Sequence, residues 1–398
     1  MRALIVSMII GIAASLSAAD WPQFFGPDRT GISPETGINK NWNTNPPKQL
    51  WKLSMSDDGY AGPSAADGMV FIIDRNDAND VVKALDAATG KELWSYQYPD
   101  PGSANYGYAR STPTCDAGKL YTLSRSGLLN CLDAKSGKLL WSVKVIKSFG
   151  GKLPQWLLAL SPFIDGDAVI VCPGGSENPV AIDKNTGATL WKGNCADAVS
   201  YATPVVTTLA GKRQYLLFMA KNLIGADAAN GQELWRVPWE TKYDVNAALP
   251  LPIGDDRVFI SSGYNHGCGM VKVSDDGAKL LWENKSAMAH FSSPILYKGF
   301  IYANSDPDNL VCIDPASGTA KWKSRGFEKG GFIIVDDVII AVGGRTGDVV
   351  MASAVSTSYK EIGRMPAPLG GQSWTAPIVA DKKLYIRNKI EIACYSLE

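Results

Sequence analysis

The chain has 398 residues, 45% of them hydrophobic, and sets 39 Lys and Arg against 39 Asp and Glu for a formal net charge of +0 at pH 7. That balance offers no field to hold a phosphate backbone or an anionic lipid surface, which excludes nucleic acid and membrane surfaces as expected partners. The two His are too few for an imidazole zinc site, and the seven Cys include no CxxC and no adjacent pair, so a four-Cys zinc site, attached haem and a vicinal disulfide all lack their ligands.

Taken in chain order, the first element is a leader. Arg2 precedes an apolar run from Ala3 to Ala14, and Ser17 and Ala19 supply small residues, the pattern of a secretory signal peptide over residues 1–19 with cleavage before Asp20. The run is too short to span a bilayer. No Cys stands near the cleavage point, so lipid attachment at a new N-terminus is not expected, and the protein is placed in the periplasm or outside the cell. Residues 20–45 read as an extended leader. The odd number of Cys leaves at least one thiol without a partner inside the chain.

From there a phrase repeats. "LDAATGKELW" at 85–94 returns as "LDAKSGKLLW", "AIDKNTGATLW", "GADAANGQELW" and "CIDPASGTAKW", and six phrases end at Trp94, Trp141, Trp191, Trp235, Trp282 and Trp322. A period in the forties built from short β-type runs is that of propeller blades. Within the phrase an apolar strand ends at an Asp, a Gly four residues before the Trp takes positive φ, and a second strand carries the Trp. The aspartates (Asp86, Asp133, Asp183, Asp227, Asp314) are read as acceptors for turn N–H groups rather than as catalysts. Each Trp would pack into the wedge between blades, where burying about 150 to 250 Å² is worth roughly 4 to 6 kcal/mol before entropy costs.

A second signature precedes each phrase: a small residue or Pro, an apolar run, a polar turn and another strand. It occurs eight times, from "GPSAADGMVFI" to "TAPIVADKKLYI". In the seventh unit the Trp is lost and Tyr359 or Ile362 is expected in the outer strand. The eighth stops at "EIACYSLE", while "PPKQLWKLS", ending its strand at Trp51, has no strands before it. The expected fold is therefore all-β: one eight-bladed β-propeller over residues 46–398, with four-stranded antiparallel blades and the ring closed by the N-terminal strand pairing into the last blade. Closure removes the edges that an open array would expose.

Three residues before the Pro position of the signatures stand Tyr60, Arg110, Ala159, Tyr201, Ala247, Phe291 and Trp374, where inner strands begin around the axis. Tyr60, Arg110, Tyr201, Phe291 and Trp374 are the candidate ligand-binding residues of an axial funnel, with Arg110 as charge partner and the aromatics as stacking faces; the other reading is a plug of bulky side chains. No catalytic residue and no metal ligand set is assigned. His266 and His290 are read as surface or turn residues, "DRNDAND" at 74–80 as a solvated turn without the Gly and Glu of an EF-hand loop, and the loops bearing Tyr106, Tyr108, Trp156, Trp239 and Tyr243 as a recognition surface.

The phrase A-x-D-x-x-T-G-x-x-x-W, whole at "ALDAATGKELW" and "AIDKNTGATLW", resembles the pyrroloquinoline-quinone (PQQ) repeat of quinoprotein alcohol dehydrogenase-like eight-bladed propellers. The opening "DWPQFFGPDRTGISPETGI" is similar to the leader of PQQ-like propellers exported by bacteria. The resemblance implies two kinds of function. The quinoprotein dehydrogenases hold calcium beside PQQ with acidic and amide side chains, use an Asp base and often stack the quinone on an adjacent-Cys disulfide, which this chain lacks. The outer-membrane assembly lipoprotein of Gram-negative bacteria shares the repeat and is a scaffold. Three functions stay open: a non-catalytic binding or assembly platform with an unknown protein or small-molecule partner, acting as a monomer; a small PQQ-dependent oxidoreductase, with calcium and the cofactor at the axial funnel; and a carbohydrate-binding propeller.

Overall fold

The structure, a computed structural model, describes residues 19–103 and 105–398. The signal peptide expected over residues 1–19 falls, except for its last residue, outside that span. Eight sheets, each with four antiparallel strands and one with a fifth, parallel strand added, follow one another around an axis. Blade 1 comprises Ser64–Ala66, Met69–Asn76, Asn79–Asp86 and Glu92–Pro99, running from the axis outward. Blades 2 to 7 begin with the inner strands Thr114–Asp116, Phe163–Asp165, Val205–Leu209, Leu251–Ile253, Ile295–Tyr297 and Phe332–Val335. Blade 8 takes Ile378–Ala380, Lys383–Arg387 and Glu391–Ser396 from the end of the chain and Gln49–Ser54 from its beginning, with Trp51 opposite Cys394. The expected ring closure is thus present.

The inner strands are mostly three residues long and buried, whereas outer strands such as Glu92–Pro99 alternate exposed and half-buried positions. Short near the axis and long at the rim, the blades taper as wedges must. The repeated Trp and Gly turn out to be one device. The Trp94 indole donates to the Ala134 carbonyl of the next blade at 3.0 Å, and Trp51, Trp141 and Trp322 reach the equivalent turns at 3.1, 3.2 and 2.9 Å. Beneath the indoles of Trp51, Trp94, Trp141, Trp191 and Trp282 lies the turn Gly of the following blade: a Cβ on Gly90 would sit 2.8 Å from the Trp51 ring. Gly90 also holds a φ of 72°. The position therefore requires Gly twice, for backbone conformation and for space. The aspartates cap these turns as read: Asp86 accepts from the Thr89 N–H at 2.8 Å and its hydroxyl at 2.7 Å. These hydrogen bonds hold the Asp86, Asp133 and Asp183 carboxyls below their ordinary pKa.

In blade 7 the outer strand, Glu361–Met365, carries Ile362 as expected, but the wedge position itself is vacant. Neither Tyr359 nor Ile362 takes the Trp position; its register partner is Gly363, opposite Met351. The vacancy is filled by Trp42 from the leader, 2% exposed, so close that a Cβ on Gly363 would meet the Trp42 Cβ at 2.7 Å. Tyr359 packs instead on Trp322, with ring centroids 5.7 Å apart. Ile362 stays half-buried, its carbonyl accepting from the Asn43 side chain.

The leader is a strap across one end of the ring. Trp21 bridges Ala65 of blade 1, the Pro22 carbonyl accepts from Cys115 of blade 2, and Arg29 reaches the Ile164 carbonyl of blade 3. Ile32–Ser33 then pairs in parallel with the inner strand of blade 7, and Glu35 accepts from the Lys382 N–H of blade 8 at 2.6 Å. Closure is clamped by Arg387, fully buried, which donates to Asp57, Gly59 and Ala61 at 2.8, 3.0 and 2.8 Å. All seven Cys are buried and free. Cys131, Cys312 and Cys394 each face a Trp across a strand pair, where a small side chain leaves room for the indole.

Candidate functional site

The strap closes one end of the axis and leaves a cavity of about 280 Å³ at the other. Trp21, Phe24 and Phe25 of the strap line it together with Ile333 and Ile378. All seven positions read from the sequence, Tyr60, Arg110, Ala159, Tyr201, Ala247, Phe291 and Trp374, come together in its wall. They do so because each opens the chain's return from an outer strand to the axis, and the backbone there is sewn to its neighbour blade. Tyr60 and Ala61 donate to the Ala109 carbonyl, Tyr201 and Ala202 to that of Asn246. Ser161 Oγ accepts from the Thr112 N–H, Thr203 Oγ1 from Ser161 and Ser293 Oγ from Leu249.

Two aromatic groups form the walls. Tyr60 stacks on Trp374 at 4.9 Å and 19°, with Phe291 5.4 Å beyond. Trp156 packs against Tyr201 at 6.2 Å and edge-on to Tyr243 at 5.7 Å. Tyr106, 61% exposed, stands at the mouth. Burial raises the pKa of the Tyr60 and Tyr201 hydroxyls, so both stay protonated at neutral pH.

The polar groups are unequal. Arg110 donates to the backbone carbonyls of Trp156, Asn105 and Gly107. Burial pulls its pKa down and the Arg125 charge adds to this. Among the described residues no carboxylate forms an ion pair with Arg110 or with Lys329, whose ammonium lies 5.2 Å from the Trp374 ring. His290 is no surface residue: it is 9% exposed, lines the cavity, and sets Nδ1 3.2 Å from Asp306 Oδ2. His266 packs edge-on against Trp239, ring centroids 4.4 Å apart.

The rim is held from below by buried charge. Asp74, Arg75 and Asp80 of "DRNDAND" are buried, and only the tip at 76–78 is solvated, which corrects the solvated-turn reading. Arg75 pairs with Asp80 at 3.2 Å and Arg125 with Asp100, and Tyr108 is sandwiched with the two guanidinium carbons 3.5 and 4.9 Å from its ring. Arg125 further grips the carbonyls of Gly102 and Ser103, anchoring the loop that carries Tyr106 and Arg110. Trp239, read as part of a recognition surface, is 3% exposed and donates to Ser262 at 3.0 Å. Sequence reasoning missed Lys329, Tyr264, His290 and the strap aromatics of this cavity. The cluster "WPQFF" was the one available signal.

Calcium beside PQQ needs oxygen ligands of acidic or amide type. Among the described residues, no Asp, Glu, Asn or Gln lines the cavity, and no group of three or more His, Cys, Asp or Glu is placed to hold a metal ion. The residues present therefore do not fit that metal. No helix among the described residues is long and apolar enough to cross a membrane.

Comparisons with known proteins divide along the same line as the resemblance. The dehydrogenase subunit of a quinone alcohol dehydrogenase from Gluconacetobacter polyoxogenes is 35% identical over 173 residues, 40% of this chain and 23% of that protein, so the chain spans under a quarter of the length of that relative. An outer membrane protein assembly factor BamB from Shewanella oneidensis is 24% identical over 377 residues, covering 86% of this chain and 87% of the relative. The crystal structure of BamB from Moraxella catarrhalis superposes with a TM-score of 0.62 at 16% identity, over 88% of this chain and 98% of that one, a likeness of fold. A family model described as outer membrane protein assembly factor BamB matches residues 40–116 and 78–324, well over half of the chain. The chain belongs to that family of PQQ-type propellers.

Proposed function

We propose that this protein is a non-catalytic binding platform that works outside the cytoplasm, in the periplasm or at the cell surface, in the manner of an assembly factor. The observation that carries the reading is the composition of the axial cavity. Its walls are aromatic, its charged groups are cations, and none of its described lining residues brings a carboxylate or amide side chain to hold calcium or serve as a carboxylate base. The full-length likeness to assembly factors supports the same reading, since 87% of the Shewanella protein is covered. A carbohydrate site would find aromatic faces here but, among the described lining residues, no carboxylate or amide side chain to pair with sugar hydroxyls.

The rival is a small quinoprotein oxidoreductase, favoured by the 35% identical stretch shared with the alcohol dehydrogenase subunit. Purified protein incubated with PQQ and calcium, then assayed with alcohols, sugars and an artificial electron acceptor, separates the two. The platform reading expects no turnover above the untreated protein. Turnover that requires both PQQ and calcium overturns it.

A further inference from the structure

A buried or half-buried charge is ordinarily paired, because leaving water without a counter-charge is costly. The axial cavity breaks this rule twice in one place. Arg110 is held on backbone carbonyls alone and Lys329 has no hydrogen-bond or ion-pair partner among the described residues. In ring order they flank the Tyr60–Trp374 stack: Arg110 enters blade 2, Lys329 enters blade 7, and the stack sits at the entrances of blades 1 and 8. Elsewhere the protein pairs its buried cations, as with Arg125 and Asp100 or Arg387 and Asp57. Arg29 of the strap, however, is likewise held without a carboxylate, on Gln23 and the Ile164 carbonyl, so what marks the cavity is that two such cations line one space.

The other polar atoms of the wall are largely spent. Thr203 and Ser293 accept from neighbouring backbone, and Thr375 donates to the Tyr60 carbonyl at 3.0 Å. What remains toward the space is donor character, with apolar rings on the walls and apolar strap residues on the floor. A ligand matching that set presents a flat apolar body and acceptor oxygens carrying negative charge. At about 280 Å³ the cavity lies just below the range of about 300 to 1,000 Å³ typical of drug-sized ligands, which suits one or two fused rings and no polymer.

We infer that the axial cavity is a metal-free binding site for a small aromatic carboxylate, its ring against the Tyr60–Trp374 stack and its carboxylate on Arg110 and Lys329. This inference rests on reading the cavity as a binding site rather than a redox site. Recognition is by charge and stacking together: the rings exclude water, which strengthens the attraction of the cations, and an uncharged analogue keeps only the stacking.

The test is calorimetric and fluorescence titration of the full chain with naphthoate and with naphthamide, its uncharged counterpart, in the presence and absence of calcium. The expected result is a single naphthoate site, independent of calcium, with naphthamide weaker by about tenfold or more, the effect of one charge-assisted contact. Because Arg110 also holds backbone, the informative variant is Lys329→Gln, which touches no hydrogen bond. It weakens naphthoate severalfold, leaves naphthamide unchanged and leaves the thermal midpoint where it was. Equal binding of acid and amide, no binding at millimolar concentration, or a requirement for calcium overturns the inference. Failure here without dehydrogenase turnover leaves the platform reading standing. Turnover with calcium-independent naphthoate binding sinks that reading and keeps the anion site.

Discussion

The indole of Trp42 occupies the space that Gly363 leaves, supplying to blade 7 from the leader the wedge residue that the other seven outer strands carry themselves. Trp42→Ala is expected to cost about 3 to 5 kcal/mol, as for other buried aromatics. Gly363→Ala, which places a methyl against Trp42, destabilises the native chain, and the cost is reduced but not abolished in the Trp42→Ala background, which removes the ring carbon at 3.2 Å and keeps the Cβ at 2.7 Å. Urea unfolding of the two single variants and the double variant measures that coupling, and additive effects would disprove the contact.

Gly137 and Gly118 both have positive φ, 71° and 75°, but only Gly137 lies under an indole, that of Trp94; nothing stands within 4 Å of a Cβ on Gly118. Gly137→Ala therefore loses more stability than Gly118→Ala, by roughly 1 to 3 kcal/mol of overpacking beyond the shared backbone cost. Thermal unfolding of the pair decides it.

Trp191 and Trp239 reverse a natural expectation. A Trp of the repeat promises more to stability than one in a loop, yet Trp191 is half-buried while Trp239 is buried and hydrogen-bonded to Ser262. Trp239→Ala is expected to lower the unfolding midpoint at least as far as Trp191→Ala.

Asp80 gives a pH dependence. Burial, then the neighbouring Asp100 carboxylate, push its pKa from 3.8 up to about 7 against the pull of Arg75, with Tyr98 and Arg125 also facing it. The folded state binds this proton more tightly than the unfolded state does. Its contribution is complete below the ordinary carboxylate pKa and is lost as pH rises toward about 7. In urea unfolding followed from acid to neutral pH, Asp80→Asn is expected to show a shallower decline than the native chain. Identical slopes would refute the assignment.

Asp57 compensates the fully buried Arg387 guanidinium. Asp57→Ala leaves that charge alone and is expected to cost about 3 to 5 kcal/mol in chemical unfolding. The loss would fall on the junction of blades 8 and 1.

Much of this was legible because the information is local. The turn Gly, its capping Asp and the alternation before each Trp are short-range signals, and eight repetitions fix the blade count. Counting back from the Pro positions located the cavity wall, since each inner strand starts at the same offset. What escaped was long-range. Nothing near Trp42 announces that it will sit beside a glycine more than three hundred residues later. "DRNDAND" looked solvated because its partners Asp100 and Arg125 lie in loops distant in sequence. Arg110 was legible as a cavity residue, but its grip on the Trp156 loop carbonyl depends on a turn with no sequence signature.

The pairing of Gln49–Ser54 with Glu391–Ser396 has a consequence for how the molecule is made. Gln49–Ser54, made before any other blade strand, must wait for the last, carrying hydrophobic Trp51 unshielded through the synthesis of every other blade. Contacts of such sequence separation form slowly. A chain cut short at any point after blade 1 would strand this segment beside an open sheet edge, a template for self-association, so assembly of the ring has one late event to wait for.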